Sequence, residues 1–297
     1  MDFVLLDVFT DRVFGGNQLA VFPHAGELPD WFMSAIAREL KVNETVFVTG
    51  RTGNGFAARI FSPHGELPFA GHPVIGSAFV LADQVPSDQF ELNVPAGPVP
   101  IEIVRVPNGQ QIMLQSPTLP LRLKQTVQAA DLAAMLSLSE RQIAPEPAEA
   151  YSAAIPFFCI PLADPESVKQ ANLDKSVWAR VLRNCLAPHI YIFSFGQNGD
   201  IFARMFAPAV GIDEDAATGA AAVALGGYLA EHDPAHNEMS AYTIHQGAEI
   251  GRPSQIRLEV SSGRGALASV RIGGQCVLLG RGELSDAAAR LRLSESP

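Results

Sequence analysis

A long internal repeat limits the folds open to this chain more than any other pattern in it. Residues 58–63 read ARIFSP and residues 203–208 read ARMFAP, roughly half of the 297-residue chain apart. In both places an acidic, turn-rich loop follows, then a small-residue element with glycine and an apolar helical segment. Further on, a glycine turn precedes an alternating strand at 95–103 and again at 245–258. Three matches in the same order predict two homologous lobes that face each other, since the period is far longer than that of a solenoid.

Local patterns predict an α+β fold of mostly antiparallel strands around a few long helices. A proline-containing connection at 117–120 is the predicted linker. It divides an N-terminal lobe at 1–118, completed by 281–297, from a C-terminal lobe at 119–280. Helices are predicted at 30–40, where Asp30 is the expected cap, at 125–137 and at 174–186, and a loop at 142–150. Strands are predicted at 4–9, 19–22, 45–48, 56–61, 109–118, 155–162, 189–195, 200–206, 255–261, 266–272 and 276–280.

Composition argues against several classes of function. The net charge of −10 and the pI near 5.1 leave no basic face for nucleic acid. The most apolar helical stretch, 216–230, is too short and too rich in glycine to span a bilayer, so no membrane partner is expected. The N-terminus reads as a strand and turn instead of a signal peptide. Cys159, Cys185 and Cys276 are far apart and form no CxxC pair, which predicts neither disulfides nor zinc and favours the cytoplasm.

Two junctions before apolar helices are the first candidate sites. Pro73 suits the first position of a helix, which makes His72 the expected N-cap and puts Gly71 just before it. The second junction is Thr218-Gly219-Ala220. A helix start presents unpaired N–H groups and a positive dipole end, and can bind a carboxylate or stabilise an oxyanion. The alternative is that both junctions are only well-formed caps.

Two acidic positions are the other candidates. Glu44 lies between a helix end and a strand, where loop residues held by a scaffold often act, and a partly desolvated glutamate can carry a proton both ways. The alternative for Glu44 is a solvated surface charge. Asp215 ends an acidic run at 213–215, in which one residue is expected to be a helix cap or dipole partner. A second carboxylate near Glu44 would separate the acid and base roles.

Other known motifs are missing from the sequence. The histidines at 24, 64, 189, 232, 236 and 245 show no metal-ligand spacing, and Pro234 interrupts the one pair that is four residues apart. The chain has no phosphate-binding loop and no Gly-x-Ser-x-Gly elbow. Acid–base chemistry without a metal is therefore the leading expectation.

Five segments together resemble the PhzF-like protein family. They are GGNQLAVF (15–22), VNETVFV (42–48), FSPHGELPFAGHPVIGSA (61–78), EDAATGAAA (214–222) and QGAEIGRPSQIRLEV (246–260), and they occur in family order along nearly the whole chain. The resemblance implies the diaminopimelate-epimerase fold, in which each of two similar lobes wraps a sheet around a central helix and the site lies in the cleft between them. It also implies a homodimer and no cofactor.

The resemblance also assigns roles to residues. Glu44 matches the family's general acid/base, and His72 and Asp215 match residues that hold the substrate and assist proton transfer. The substrate-binding positions are Asn17, Gly71, Thr218, Gly219 and Ala220. The substrate class is a small carboxylated metabolite, and the namesake reaction is isomerisation of a dihydro-hydroxyanthranilate by moving a proton across a cyclohexadiene.

Three departures from the family pattern bear on the substrate. The second junction is usually Asp-Pro-Ala-Thr-Gly-Ser, but here Ala216 replaces the proline and Ala220 replaces the serine. Gln18 replaces the common proline of Gly-Asn-Pro. The lost hydroxyl removes a hydrogen-bond donor at the helix start, so we expect a substrate different from the phenazine precursor.

Three functions remain open from the sequence. The first is an isomerase that closes on its substrate and uses Glu44 to move a proton. The second is a catalytically silent protein that binds a small anion. The third is a racemase or dehydratase. The missing thiols argue against it, because the positions of the two cysteines in the related enzymes are occupied here by Ala70 and Thr218.

Overall fold

The computed structural model describes residues 1–107, 109–264 and 266–285. The chain folds into two compact units, one formed by residues 1–115 together with the described residues from 273 onward, the other by residues 116–272. The sequence-based boundaries at 118/119 and 280/281 lie a few residues later along the chain. Of the segment expected to complete the N-terminal lobe, residues 286–297 lie outside the described part.

The described part of the first unit consists mainly of strands, with two α helices. Its elements, in order along the chain, are β1 (Asp2–Val8), β2 (Asn17–Phe22), α1 (Asp30–Leu40), β3 (Glu44–Thr52), β4 (Gly55–Ser62), β5 (Gly65–Leu67), α2 (Gly71–Leu81), β6 (Gln89–Val94), β7 (Gly97–Val106) and β8 (Gly109–Gln115).

The second unit has a similar make-up with more helical segments. Its elements are β9 (Leu121–Leu123), α3 (Ala129–Leu136), β10 (Glu149–Ser152), β11 (Pro156–Pro161), α4 (Pro165–Gln170), α5 (Lys175–Val181), β12 (His189–Phe195), β13 (Asp200–Ala207), β14 (Ile212–Asp215), α6 (Gly219–His232), β15 (Met239–Gln246), β16 (Ser254–Gly263) and β17 (Ala266–Gly274). The chain then returns to the first unit, where β18 (Cys276–Glu283) pairs antiparallel with β1.

The strands of the two units pair in the same series of directions. In the first unit β1–β2 is antiparallel, β2–β3 parallel, β3–β4 antiparallel, β4–β6 parallel and β6–β7 antiparallel. In the second unit β10–β11 is antiparallel, β11–β12 parallel, β12–β13 antiparallel, β13–β15 parallel and β15–β16 antiparallel. Most described pairs are antiparallel, as the sequence predicts.

Each unit surrounds one helix that is buried on nearly every side. In α2 all residues from Gly71 to Ala78 are buried, and in α6 all residues from Ala221 to Leu229. A helix that is apolar all round belongs in a core, and these two pack against the strands of their own units. The approach is close, because a Cβ atom added to Gly76 would lie 2.4 Å from the side chain of Leu19.

The amphipathic helix α1 covers a separate cluster of the first unit. It buries Phe32, Met33, Ile36 and Ala37 against the aromatic side chains of the neighbouring strands. Its N-cap is Pro29, so the prediction that Asp30 caps this helix is wrong. The Asp30 carboxylate instead accepts a hydrogen bond from Arg59 on β4 at 2.6 Å.

Three more local predictions differ from the structure. The helices α3 and α5 are shorter than predicted. The last two residues of the loop predicted over 142–150 belong to β10, which begins at Glu149. The helix α4 was not predicted, although Asp164 is its N-cap and Pro165 its first residue. Its six residues are too few for a periodic apolar pattern. No helix in the described residues has both the length and the hydrophobicity to cross a bilayer.

Candidate functional site

Glu44 opens strand β3 in the first unit. Its backbone pairs with Leu19 in the parallel register of β2 and β3. The side chain is only 17% exposed, and its Oε2 atom lies 2.8 Å from His72 Nε2. The alternative of a solvated surface charge at Glu44 is therefore wrong. Strand pairing fixes the backbone of this acid, and burial keeps bulk water away from most of it.

His72 belongs to the first turn of α2. The helix begins at Gly71 with Ala70 as N-cap, so His72 is its second residue and Pro73 its third. The predicted start, with His72 as the cap, lies two residues too late. Pro73 is tolerated because the N–H groups of a first turn have no partner within the helix. Ala70 offers no side-chain acceptor to this turn, which leaves the helix start suited to an anionic group.

The contact between Glu44 and His72 can move a proton. Both atoms are buried, and they face each other at 2.8 Å without the angles of a regular hydrogen bond. A carboxylate and an imidazole at this distance can share or exchange a proton after small side-chain rotations, and both are general acid–base groups. Two groups capable of acid–base chemistry are thus in contact at the start of α2.

Asn17 lies next to this pair. Its Oδ1 atom accepts a hydrogen bond of 2.6 Å from Asn43 Nδ2, which ties the start of β2 to the residue before Glu44. The loop leading to Asn17 needs Gly16, since φ is +59° and an added Cβ atom would lie 2.3 Å from the Val8 carbonyl oxygen. Asn17 itself is buried.

The buried carboxylate of Asp7 supports the same loop. Its Oδ2 atom accepts a 2.7 Å hydrogen bond from the backbone N–H of Phe14. The sequence offered a signal for Asp7, because an aspartate interrupts an otherwise apolar strand there. A buried charge is costly unless it is hydrogen-bonded, so such an interruption indicates a structural or functional contact.

Gln18 faces away from this part of the unit. Side chains alternate along a strand, so Gln18 lies on the face of β2 opposite Asn17, and it is exposed. The Gln18 side chain, which stands where the family pattern has proline, is therefore directed away from the face that carries Asn17. The expected difference in substrate is left to the second junction.

Asp215 and Thr218 meet in the second unit. Thr218 is the N-cap of α6, but its hydroxyl donates to Asp215 Oδ2 at 2.6 Å and does not cap the helix. Gln246 at the end of β15 contacts both residues. Gly219, which is buried, and Ala220, which is partly exposed, are the first two residues of the helix.

The acidic run before α6 divides into three different environments. Asp213 is exposed and pairs with Lys175 at 2.5 Å. Glu214 is buried in an ion pair with an arginine of β13, and Asp215 is held by Thr218. Of the three, Asp215 has its carboxylate hydrogen-bonded to the N-cap residue of α6.

A bidentate ion pair holds the hairpin before each central helix. In the first unit the Arg59 guanidinium donates to Glu66 at 2.7 and 2.6 Å and lies 5.2 Å from the Phe61 ring centre. In the second unit Arg204 donates to Glu214 at 2.9 and 2.7 Å and lies 5.0 Å from the Phe206 ring centre. Glu214 directly precedes Asp215, so the second pair also fixes the backbone next to this predicted site residue.

Burial distinguishes the two arginines. Arg204 and Glu214 are each 9% exposed. Arg204 Nη1 also donates to three carbonyl groups at the end of α4, those of Val168, Lys169 and Ala171, at 3.2, 3.3 and 2.6 Å. The Arg59 side chain is 27% exposed, its Nη1 atom donates to the exposed Asp30 carboxylate, and its partner Glu66 is 33% exposed.

One histidine lies in a carboxylate cluster away from the predicted site residues of its unit. His232 Nε2 is 2.8 Å from Glu149 Oε2, and Glu231 is near enough to form a three-ligand group. Arg122 already pairs with Glu149 and Glu231, and Tyr151 donates to Glu149. A cation would have to compete with the guanidinium, so the cluster is best described as a satisfied polar network.

The buried cysteines are poorly suited to act as thiolates. Ala70 and Thr218, the positions where the resemblance places the thiols of two-cysteine enzymes, are the N-caps of α2 and α6. Cys159 and Cys276 are buried. Burial raises the pKa of Cys276 to about 12 and raises the pKa of Cys159 further above its ordinary value. Neither is a thiolate at neutral pH, and only the thiolate is an effective base or nucleophile.

We expect thiol reagents to distinguish one cysteine of the three. Cys185 is partly exposed, so native protein treated with a chromogenic disulfide at pH 8 should release one equivalent of thiolate quickly and three after denaturation. The Cys185→Ser variant should lose the fast phase and keep its activity. Two or more fast thiols, or loss of activity on labelling, would contradict this assignment.

Sequence reasoning missed Gln246 and Tyr191. The Tyr191 hydroxyl donates to Gln246 Oε1 at 3.2 Å, and both residues are buried. Gln246 had a weak signal, because it immediately precedes the glycine of a segment that resembles the family. Tyr191 lies in an apolar strand pattern and had none.

Known proteins resemble this chain along nearly its whole length. The family model described as phenazine biosynthesis-like protein matches residues 6–282. An uncharacterised isomerase of Mesorhizobium japonicum is 34% identical, with 95% of this chain and 98% of the relative covered. The trans-2,3-dihydro-3-hydroxyanthranilate isomerase of Pseudomonas fluorescens is 33% identical, with 95% and 99% covered.

Solved structures agree with the sequence relatives. A PhzF-family phenazine biosynthesis protein of Bacillus anthracis has a TM-score of 0.87 at 22% identity, with 96% of this chain and 99% of that chain covered. A probable proline racemase of Agrobacterium radiobacter has a TM-score of 0.59 at 11% identity, with 96% and 93% covered, and shows a related fold alone. Because the family model and relatives above 30% identity cover almost the whole chain, the protein belongs to the phenazine biosynthesis-like (PhzF) family.

Proposed function

We propose that this chain is a cofactor-independent isomerase that moves a proton on a small carboxylated metabolite, with Glu44 as the general acid/base. The contact between Glu44 and His72 at 2.8 Å is the observation that carries the proposal. A buried carboxylate is costly to keep, and proton transfer gives a reason for it. The family relatives named as isomerases, among them the P. fluorescens enzyme, support the same class of reaction.

The proposed isomerisation needs one group that first accepts a proton from carbon and then donates it back. Glu44 as a carboxylate removes a proton from a carbon activated by a conjugated double bond. The electron pair of the broken C–H bond shifts along the conjugated system, and the proton returns from Glu44 to the far carbon. A carboxylate suits such a vinylogously activated proton, whereas a weaker carbon acid would need a thiolate. His72 beside Glu44 stabilises the charge that changes during the two transfers.

The remaining predicted residues hold the substrate in this proposal. Gly71, Gly219 and Ala220 supply backbone N–H groups at helix starts, where a carboxylate is stabilised by the helix dipole. Asn17 and Thr218 add polar side chains, and Asp215 accepts a hydrogen bond from the substrate. A homodimer stays a prediction from the family resemblance.

We also infer that the two units are homologous halves, as the internal repeat predicts. Their identical series of parallel and antiparallel pairs supports this. So does the matching use of Arg59 and Arg204, each bidentate to a glutamate of the following strand. In this view α2 and α6 are equivalent helices that have acquired different polar groups at their starts.

The alanine at position 220 gives a test of substrate identity. In the family pattern a serine stands there, and its hydroxyl would add a hydrogen bond to the substrate. We expect Ala220→Ser to raise kcat/KM about fivefold for trans-2,3-dihydro-3-hydroxyanthranilate, since one hydrogen bond contributes about 1 kcal/mol. The control is Ala230→Ser, near the other end of α6 and also partly exposed. An equal effect of both variants would show that residue 220 does not select the substrate.

Solvent deuterium exchange tests the proposed reaction directly. The protein would be incubated in deuterated water with cyclic and unsaturated carboxylates, including the dihydro-hydroxyanthranilate, and carbon-bound deuterium followed by NMR. Incorporation into one compound identifies proton transfer at carbon and narrows the substrate. Tight binding of a compound without incorporation, unaffected by Glu44→Gln, would favour the silent binding protein over the isomerase.

A further inference from the structure

Gln246 uses both ends of its amide inside the second unit. It is 2% exposed. Its Oε1 atom accepts from the Tyr191 hydroxyl at 3.2 Å and from the Thr218 backbone N–H at 3.4 Å. Its Nε2 atom donates to the Asp215 backbone carbonyl at 2.9 Å and to Thr218 Oγ1 at 3.1 Å. We propose that Gln246 is a positioning residue that orients the Thr218 hydroxyl and thereby fixes Asp215 as an ionised hydrogen-bond acceptor.

Backbone groups decide which way the amide points. An N–H can only donate and a carbonyl oxygen can only accept. The Thr218 N–H therefore requires the oxygen of Gln246 on its side, and the Asp215 carbonyl requires the nitrogen on the other. The Tyr191 hydroxyl agrees with this orientation, because burial raises the pKa of Tyr191 and keeps it a donor. In the opposite amide orientation, the Gln246 nitrogen would face the Thr218 N–H and the Gln246 oxygen would face the Asp215 carbonyl oxygen, so both hydrogen bonds would be lost.

The amide then decides the direction of the next hydrogen bond. Because Gln246 Nε2 donates to Thr218 Oγ1, the single hydroxyl proton of Thr218 is available for a different acceptor. Asp215 Oδ2 lies 2.6 Å away in the position to receive it. A carboxylate oxygen that accepts such a bond is stabilised in its ionised form. The order of donors thus runs from Gln246 through Thr218 to Asp215.

The backbone around the junction keeps the three residues in place. Gly247 has φ +78°, and an added Cβ atom would lie 2.5 Å from the carbonyl oxygens of both Ala216 and Arg252. The Ser254 hydroxyl donates to the same Ala216 carbonyl at 2.9 Å. The chain segment between Asp215 and Thr218 is therefore held on one side by Gln246 and on the other by Gly247 and Ser254.

Several charged groups of the second unit have partners of their own. Arg204 pairs with Glu214, Lys175 with Asp213, and His245 with Asp200 at 3.1 Å. Asp215 follows Asp213 and Glu214 along β14 and accepts the hydrogen bond from the Thr218 hydroxyl. Tyr191, the titratable group of β12 that faces this network, is neutral over the accessible pH range.

The inference deepens the proposed function and rests on it for the catalytic role of Asp215. With Asp215 held as an acceptor, it can bind an O–H or N–H group of the substrate but does not supply the migrating proton. That task is left to Glu44, whose Oε2 atom faces His72 Nε2 at 2.8 Å. The two carboxylates are then assigned separate roles by their surroundings.

Carboxyl NMR tests this without any substrate. The protein would be labelled with ¹³C at aspartate carboxyls, and Asp215→Asn would assign the signal of Asp215. We expect the midpoint of the Asp215 titration to move to higher pH in Gln246→Met and in Thr218→Val. Thr218→Ser keeps the hydroxyl and should retain the original midpoint, which a merely structural role of the side chain would not require.

The outcomes separate this proposal from the proposed function. The same Asp215 midpoint in Thr218→Val and Thr218→Ser would overturn the proposal, even if Gln246→Met failed to fold. A shift in Thr218→Val together with no shift in a folded Gln246→Met would also overturn it, because Thr218 would then act alone. Absence of deuterium exchange into any substrate, with the expected shifts in midpoint, would count against the isomerase and leave the role of Gln246 intact.

Discussion

Glu44→Gln should reduce carbon-bound deuterium incorporation by about three orders of magnitude, because general acid–base groups contribute roughly 10²–10⁴-fold. The glutamine amide has the size of the carboxylate and can still lie against His72, but it cannot take up a proton from carbon. Substrate binding should change little, since the variant keeps a polar group of the same shape. The measurement is the initial rate of incorporation by NMR, together with the dissociation constant from calorimetry.

Glu39→Gln is the matched control for this experiment. Glu39 lies on α1, five positions before Glu44, and is exposed. It changes the net charge by the same amount and should keep the unsubstituted rate. Exchange that persists in Glu44→Gln would mean that another group carries the proton, with His72 as the next candidate. A rate lost equally in both variants would indicate an effect of charge instead of chemistry.

Arg204→Met should lower the free energy of unfolding of the second unit by about 3–5 kcal/mol, because it leaves one member of a buried ion pair without its partner. Glu214 would remain desolvated, and the carbonyl groups at the end of α4 would lose their shared donor. Chemical denaturation followed by fluorescence of Trp178, which lies in the core of this unit, measures the shift in midpoint.

The chain supplies its own control for this substitution. Arg59→Met removes the equivalent guanidinium of the first unit, where Glu66 is 33% exposed and water can solvate the carboxylate left behind. We expect a loss of about 1 kcal/mol or less there. The double variant Arg204→Met with Glu214→Gln should recover part of the lost stability, since it no longer buries a bare charge. Equal losses for Arg204→Met and Arg59→Met would mean that burial of the pair is unimportant.

Local sequence patterns predicted the features that depend on neighbouring residues. The apolar runs of α2 and α6 and the alternating strands were found because burial follows the period of the element. Element ends were less accurate. The predicted start of α2 was wrong because proline is acceptable at several positions of a first turn, so Pro73 does not fix the first residue. The alanine side chain of the N-cap, Ala70, gives no signal for its extended backbone.

Candidate site residues could be named only where a family segment contained them. Glu44, His72 and Asp215 were assigned from the family segments, and spacing alone would not have joined Glu44 to a histidine 28 positions later. Tyr191 and Gln246 are 55 positions apart and touch only through the folded sheet. Their pairing depends on strand order and register, which single-sequence patterns do not specify.

The helices enclosed by strands also limit how this family can diversify. Since Gly76 in α2 and Gly226 and Gly227 in α6 have side chains of other residues where a methyl group would be, mutations along these helices face a steric barrier before any question of chemistry arises. The partly exposed residues at the start of α6 are less restricted than these glycines. Ala220, a single methyl group at this helix start, is the kind of residue at which a new specificity can be acquired without rebuilding the core.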